Sequence, residues 1–200
     1  MNLLITKDDE NENLGSFFSR CADFAVSVFC DSASITLLPS QKLKNDIIFS
    51  LKIKSFDSFN FFAFTHGNED GLIVDEKNYV DCKKDISDFS VANIVYNFSC
   101  LSGVNFGKEL VSAGAKCFIG HNKTIYIQTL PKFQNYFFEP FKVFISNLAN
   151  VKDVDACIKS AKEKYTEEID NLYPTDMLTA SVLLDNRDCL VCYGNTSVHF

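Results

Sequence analysis

Two residues able to carry out acid–base and nucleophilic chemistry each end an apolar run and stand close to a glycine. His66 lies in FFAFTHGNEDGLIVD, Phe61 to Asp75, and is followed by Gly67; Cys100 ends the run in VANIVYNFSCLSG, with Gly103 just beyond. An imidazole within reach of a thiol can take its proton, and the thiolate is the form that attacks a carbonyl carbon. Gly67 lets the backbone approach a substrate closely, and its N–H, with that of Cys100, could hold a developing oxyanion. Each residue alone also has an ordinary reading. His66 suits a strand-end histidine satisfied by a backbone carbonyl, and Cys100 suits a small core residue. Together, at the ends of successive strands, they point to a catalytic dyad.

Other reactive residues fit less well. His121 also ends an apolar run, in FIGHN, and His199 sits one residue from the end of the sequence. Cysteines fall at 21, 30, 82, 100, 117, 157, 189 and 192, and the only CxxC, Cys189 to Cys192, has no second pair with which to build a zinc site. No metal and no cofactor is expected. Gly103 to Glu109 stands where a phosphate loop would, but it is one residue short between its glycines, and Glu109 replaces the magnesium-binding hydroxyl. A phosphatase loop would need an arginine where Phe106 stands.

The elements that must position His66 and Cys100 read as an alternation. Strands are expected at Leu3–Thr6, Ser34–Leu38, Phe61–Thr65, Ala92–Phe98, Lys116–Ile119 and Cys189–Tyr193, with a hairpin over Gly71–Asp81. Helices are expected at Ser16–Phe29, from Pro39-Ser40 to about Ile53, at Phe106–Ala113 ended by Gly114, at Phe133–Leu148 and at Val154–Ile169. Leu43, Ile47 and Leu51 should share the buried face of the second helix. Such alternation predicts an α/β fold, a three-layer αβα sandwich around a mostly parallel six-stranded sheet, in one domain over 1–200. In open sheets of this kind ligands gather at the carboxyl ends of the strands, where His66 and Cys100 both fall.

Composition narrows the partners. A net charge of −7 disfavours nucleic acid and anionic membrane surfaces. No apolar run reaches the ~20 residues of a membrane-spanning helix. MNLLITKDDENEN turns acidic too early for an export signal, so the thiols are expected to be reduced in a cytoplasmic protein.

An apolar strand ending in His66-Gly67, followed by one ending in Ser99-Cys100 with Gly103 beyond, resembles the caspase-like cysteine peptidases of the caspase–hemoglobinase fold. ELVSAGAKCFIGHN, Glu109 to Asn122, is similar to the bacterial CHAT-domain branch. The resemblance implies a Cys–His endopeptidase (a thiol protease) acting through a thioester, with Cys100 the nucleophile, His66 the base, and the Gly67 and Cys100 amides the oxyanion hole. It implies a protein or peptide substrate, with Glu69, Asp70, Phe98 and Ser99 as candidate substrate contacts. It also implies an effector role in antiviral defence or programmed cell death, with a gasdermin-like pore former as substrate and a sensor chain as regulator. Phe98 departs from relatives that carry an acid or Gln two positions before the cysteine. The only arginines, Arg20 and Arg187, lie in no matching motif, which leaves the side chain preceding the cleaved bond open. An inactive adaptor of the same fold is the first alternative. A flavodoxin-like or receiver-like binding module, using the acids in Thr6-Lys7-Asp8-Asp9, is the second.

Overall fold

The structure, a computed structural model, describes residues 1–200, the side chain of Asp46 excepted. In chain order the elements are β1 (Asn2–Lys7), α1 (Gly15–Phe29), β2 (Ser34–Pro39), α2 (Ser40–Leu43), α3 (Asp46–Ile53), β3 (Phe59–Phe64), β4 (His66–Asn68), β5 (Gly71–Val74) and β6 (Lys77–Asp81). They continue with β7 (Ala92–Phe98), α4 (Phe106–Ser112), β8 (Cys117–His121), α5 (Pro131–Ala149), α6 (Val154–Leu172), α7 (Met177–Asp188) and β9 (Leu190–Gly194). Six strands form one sheet in the order β2-β1-β3-β7-β8-β9. The first five are parallel, and β9 runs antiparallel to β8 along the edge. The fold is α/β with a mixed, mostly parallel sheet.

Period-two alternation feeds a separate core on each face of this sheet. Strand β3, FNFFAF, is buried at every position because it lies between β1 and β7 and is covered on both sides. Phe62 and Phe64 enter the core built with α1, α5, α6 and α7. Phe59, Phe61 and Ala63 enter the core built with α2, α3, α4 and the strands after His66. Helices therefore cover both faces. No helix among the described residues is long and apolar enough to cross a membrane.

Four departures from the expected elements bear on the site. His66 does not simply end β3: it opens β4, and β4, β5 and β6 form a small antiparallel sheet. The helix expected over 40–53 is two helices, because the Asn45 side chain accepts the Ile47 N–H and starts α3 afresh. Phe49 and Ile53 then point inward, leaving Ile47 and Leu51 exposed. Helix α7, absent from the expected set, is capped by Asp176, whose carboxylate accepts the Thr179 N–H at 3.0 Å. Helix α1 begins at Gly15 rather than Ser16, and a Cβ on Gly15 would lie 2.6 Å from the Asp9 carbonyl oxygen. That close approach folds the segment after β1 back over the sheet's carboxyl edge.

Candidate active site

The register of the two central strands sets the site. Phe64 of β3 is paired with Phe98 of β7, so the chain leaves both strands at one level, into Thr65-His66 on one side and Ser99-Cys100 on the other. The two exits touch. A Cβ on Gly67 would lie 2.8 Å from the Cys100 carbonyl oxygen and 3.0 Å from Ser99 Cβ, so this contact requires glycine. The His66 ring meets the edge of Phe18 at 5.6 Å, and the Cys100 sulfur meets Ile125. Phe18 lies in the core on the α1 side of the sheet, and Ile125 packs against that core.

His66 is half-buried and lines a cavity of about 860 Å³ between the segment after β1 and the β5–β6 hairpin. Carboxylates dominate its wall: Asp8, Glu10, Glu12, Asp75 and Glu76, against Lys44. Lys44 is already engaged, at 2.8 Å from Glu10 and 3.6 Å from Asp75. Asp8 is 4% exposed and accepts the Ser40 hydroxyl at 2.8 Å. Burial raises its pKa, while the Ser40 hydrogen bond and the nearby His66 imidazole pull it down.

Cys100 is set differently. Its thiol is half-buried and makes two hydrogen bonds, both with Ile125 rather than His66: the S–H donates to the carbonyl at 3.6 Å, and the sulfur accepts the N–H at 3.4 Å. Burial raises the thiol pKa, with the Ile125 amide and the residue's own amide acting in the opposite sense. The next residue, Leu101, has φ 58°. A left-handed leucine costs about 1–2 kcal/mol, strain that the fold holds directly beside the thiol.

Of the expected substrate contacts, none lines the cavity beside His66. Phe98 is 2% exposed and packs against Phe17, His121 and Phe141, which makes its ring part of the core. Ser99 is 2% exposed, and its hydroxyl has no partner. The Glu69 carbonyl accepts the Phe106 N–H at 2.8 Å, and Asp70 accepts the Asn105 amide at 3.3 Å. Both acids therefore belong to a turn anchored at the start of α4. The β5–β6 hairpin walls the cavity through Ile73 to Glu76. In the segment after β8, the Ile125 main chain bonds to the Cys100 thiol.

His121 is sealed at 1% exposed with its Nδ1 unpartnered. Burial pushes its pKa down to about 4, against the carbonyls of Ser99 and Asn97, which favour the proton. On the opposite face of the sheet, the Tyr79 hydroxyl lies 2.8 Å from that of Thr6 and 3.3 Å from that of Thr65, tying β6 to the ends of β1 and β3. The CxxC does not act as a pair: Cys189 closes α7, while Cys192 lies 3.5 Å from Cys117. Among the described residues no three His, Cys, Asp or Glu side chains are grouped to hold a metal ion.

Sequence reasoning did not assign Asp8 to the His66 surroundings, although the acid pair closing β1 was a usable signal in a sheet whose strand ends share one rim. The Ile125 main chain carried no signal. No protein-family model matches the chain, and no curated protein is significantly similar to it.

Proposed function

We propose that the protein is a caspase-like cysteine endopeptidase. The reading is carried by the Phe64–Phe98 register, by which the chain leaves two adjacent strands at one level toward His66 and Cys100, with Gly67 packed against Ser99 and the Cys100 carbonyl. The strained turn at Leu101 adds support, because such strain concentrates where a reactive side chain is held to one orientation. Cys100 attacks the peptide carbonyl as His66 takes its proton, and the Gly67 and Cys100 amides receive the oxyanion. The leaving amine takes a proton from His66, and water then hydrolyses the thioester.

The cavity beside His66 points to the substrate. Glu10 and Asp75 already hold Lys44, which leaves the exposed Glu12 and Glu76 on the cavity wall, so a lysine or arginine side chain is the complementary guest. This would make the enzyme selective for basic residues at the cleaved bond. The receiver-like alternative would use the acid pair Asp8-Asp9; Asp8 is buried and accepts the Ser40 hydroxyl, while Asp9 accepts the Ser40 N–H at 2.9 Å and lies 3.8 Å from Lys7, so both acids already have partners. The adaptor alternative draws on one observation, the thiol's bonding to Ile125 instead of His66. The place in cell death or antiviral defence, with a gasdermin-like substrate and a sensor chain, rests on the sequence resemblance alone.

A positional-scanning peptide library, with Cys100→Ala and His66→Ala as controls, tests the proposal. Cleavage after Lys or Arg that vanishes in both variants is the expected result. Cleavage that survives both changes rules out the dyad, and cleavage after acidic residues rules out the assigned guest.

A further inference from the structure

Residues 122–130 run from β8 to α5 without regular structure, and Ile125 among them meets the Cys100 sulfur. Both main-chain groups of one residue on this segment, Ile125, engage the sulfur. The inner side of the segment is tied down along its length. Leu101 N–H donates to the Lys123 carbonyl at 3.1 Å, and Asn122 N–H to the Cys189 carbonyl at 3.0 Å. Next to Ile125, the Asn186 side chain closes on both main-chain groups of Tyr126, accepting its N–H at 3.1 Å and donating to its carbonyl at 2.7 Å. Gln128 adds one more tie, donating to the Thr179 hydroxyl at 3.3 Å. The outer side is free: Tyr126 is 60% and Leu130 54% exposed.

The two sides differ in what holds them. Asn186 is 1% exposed, projects from α7, and has both ends of its amide satisfied by the one residue that follows Ile125. It does for the segment what a neighbouring strand would do, by pairing with it. Removing that amide leaves the Tyr126 N–H and carbonyl to seek water, which is available only if the segment lifts.

We infer that residues 122–130 form a strap that keeps the Cys100 sulfur covered and that Asn186 is its latch, a positioning residue that holds the Ile125 main chain on the thiol. A peptide carbonyl must come to about 3 Å from the sulfur to react, and the Ile125 main chain occupies that approach. Burial raises the thiol pKa while the Ile125 amide lowers it, so the strap acts by blocking approach to the sulfur and not by fixing its protonation. Activation then consists of lifting residues 124–127 off Cys100. The meaning of this device for turnover rests on the peptidase reading above, but thiol reactivity reports on it independently.

The test is the rate at which iodoacetamide alkylates Cys100, forming a carbon–sulfur bond as iodide leaves, followed by peptide mapping between pH 6 and 10. Asn186→Leu keeps the branched outline of the side chain and removes both hydrogen bonds. The expected result is alkylation of Cys100 about tenfold faster or more at neutral pH, with the Cys82 rate unchanged. A folded Asn186→Leu protein alkylated at the wild-type rate, or more slowly, overturns the latch. Should that variant lose its circular dichroism spectrum, Gln128→Ala with amide exchange decides: faster exchange at Ile125 and Tyr126 must come with faster alkylation, and unchanged alkylation overturns the strap. Faster alkylation with no peptide cleavage in either protein keeps the strap and removes the peptidase. Cleavage with unchanged alkylation does the reverse.

Discussion

Around His66 the protein is open and acidic, with a cavity of about 860 Å³ walled by a hairpin, whereas around Cys100, at the same level of the sheet, it is covered by the main chain of Ile125. One half of the proposed site is open and walled by carboxylates, and the other holds a half-buried thiol against main chain. The parallel sheet accounts for the shared level, because β3 and β7 deliver their ends side by side whatever follows them. The connecting segments account for the difference. After β3 the chain turns at once into short antiparallel strands, which Tyr79 ties to the ends of β1 and β3 and which leave a cavity beside His66. After β8 it returns across the rim and is bonded down.

The largest expected effect comes from removing either half's reactive group. Cys100→Ala should lower cleavage of a fluorogenic arginyl peptide by about 10⁴-fold or more, and His66→Ala by about 10³-fold. A loss confined to Cys100→Ala would break the pairing of the two halves. The buried imidazole under the covered half is the natural contrast to His66. Below pH 6.5 the unfolded chain protonates His121, while the folded protein does not until about pH 4, so folding stability is complete above 6.5 and falls on acidification through that window. Denaturant melts at pH 7 and pH 4 should differ by roughly 3 kcal/mol from this residue, and His121→Phe should flatten the difference. A pH dependence unchanged by that substitution would show that His121 is not the sealed group.

On the open side, Tyr79→Phe should lower stability by about 1–2 kcal/mol in chemical denaturation, because it strands Thr6 and Thr65. It should leave alkylation of Cys100 unchanged. The smallest effect falls on exposed charge. Glu12→Lys with Glu76→Lys should raise KM for a lysyl or arginyl peptide about fivefold at low salt, the gap closing as salt rises. An equal rise for a neutral peptide would mean that the cavity does not select by charge.

Much of this was readable in the sequence wherever one residue type forces one outcome. The apolar run through Phe64 had to be a doubly covered strand, and Gly67 beside His66 marked a close backbone approach. Helix α7 was not readable because its pattern is blurred: Met177, Leu178 and Leu184 face solvent, while the polar Asn186 is buried. The split between α2 and α3 depended on the Asn45 side chain choosing a backbone partner at Ile47, a local competition that periodicity does not report. Strand β4, only His66-Gly67-Asn68, is too short and too polar to show alternation. The acidic wall joins residues 8–12 to residues 75–76, and only strand pairing brings those stretches together. An isolated Asn at 186 gives no sign of its partner sixty residues earlier.

The hydroxyl of Tyr79, shared between Thr6 and Thr65, also decides how the molecule comes apart. Because that one group joins the hairpin to two strands of the main sheet, all three belong to a single cooperative unit, and partial opening that frees the hairpin must also fray β1 and β3. The cavity beside His66 lies between that hairpin and the segment that follows β1, so heat that frees the hairpin opens the cavity from both sides at once.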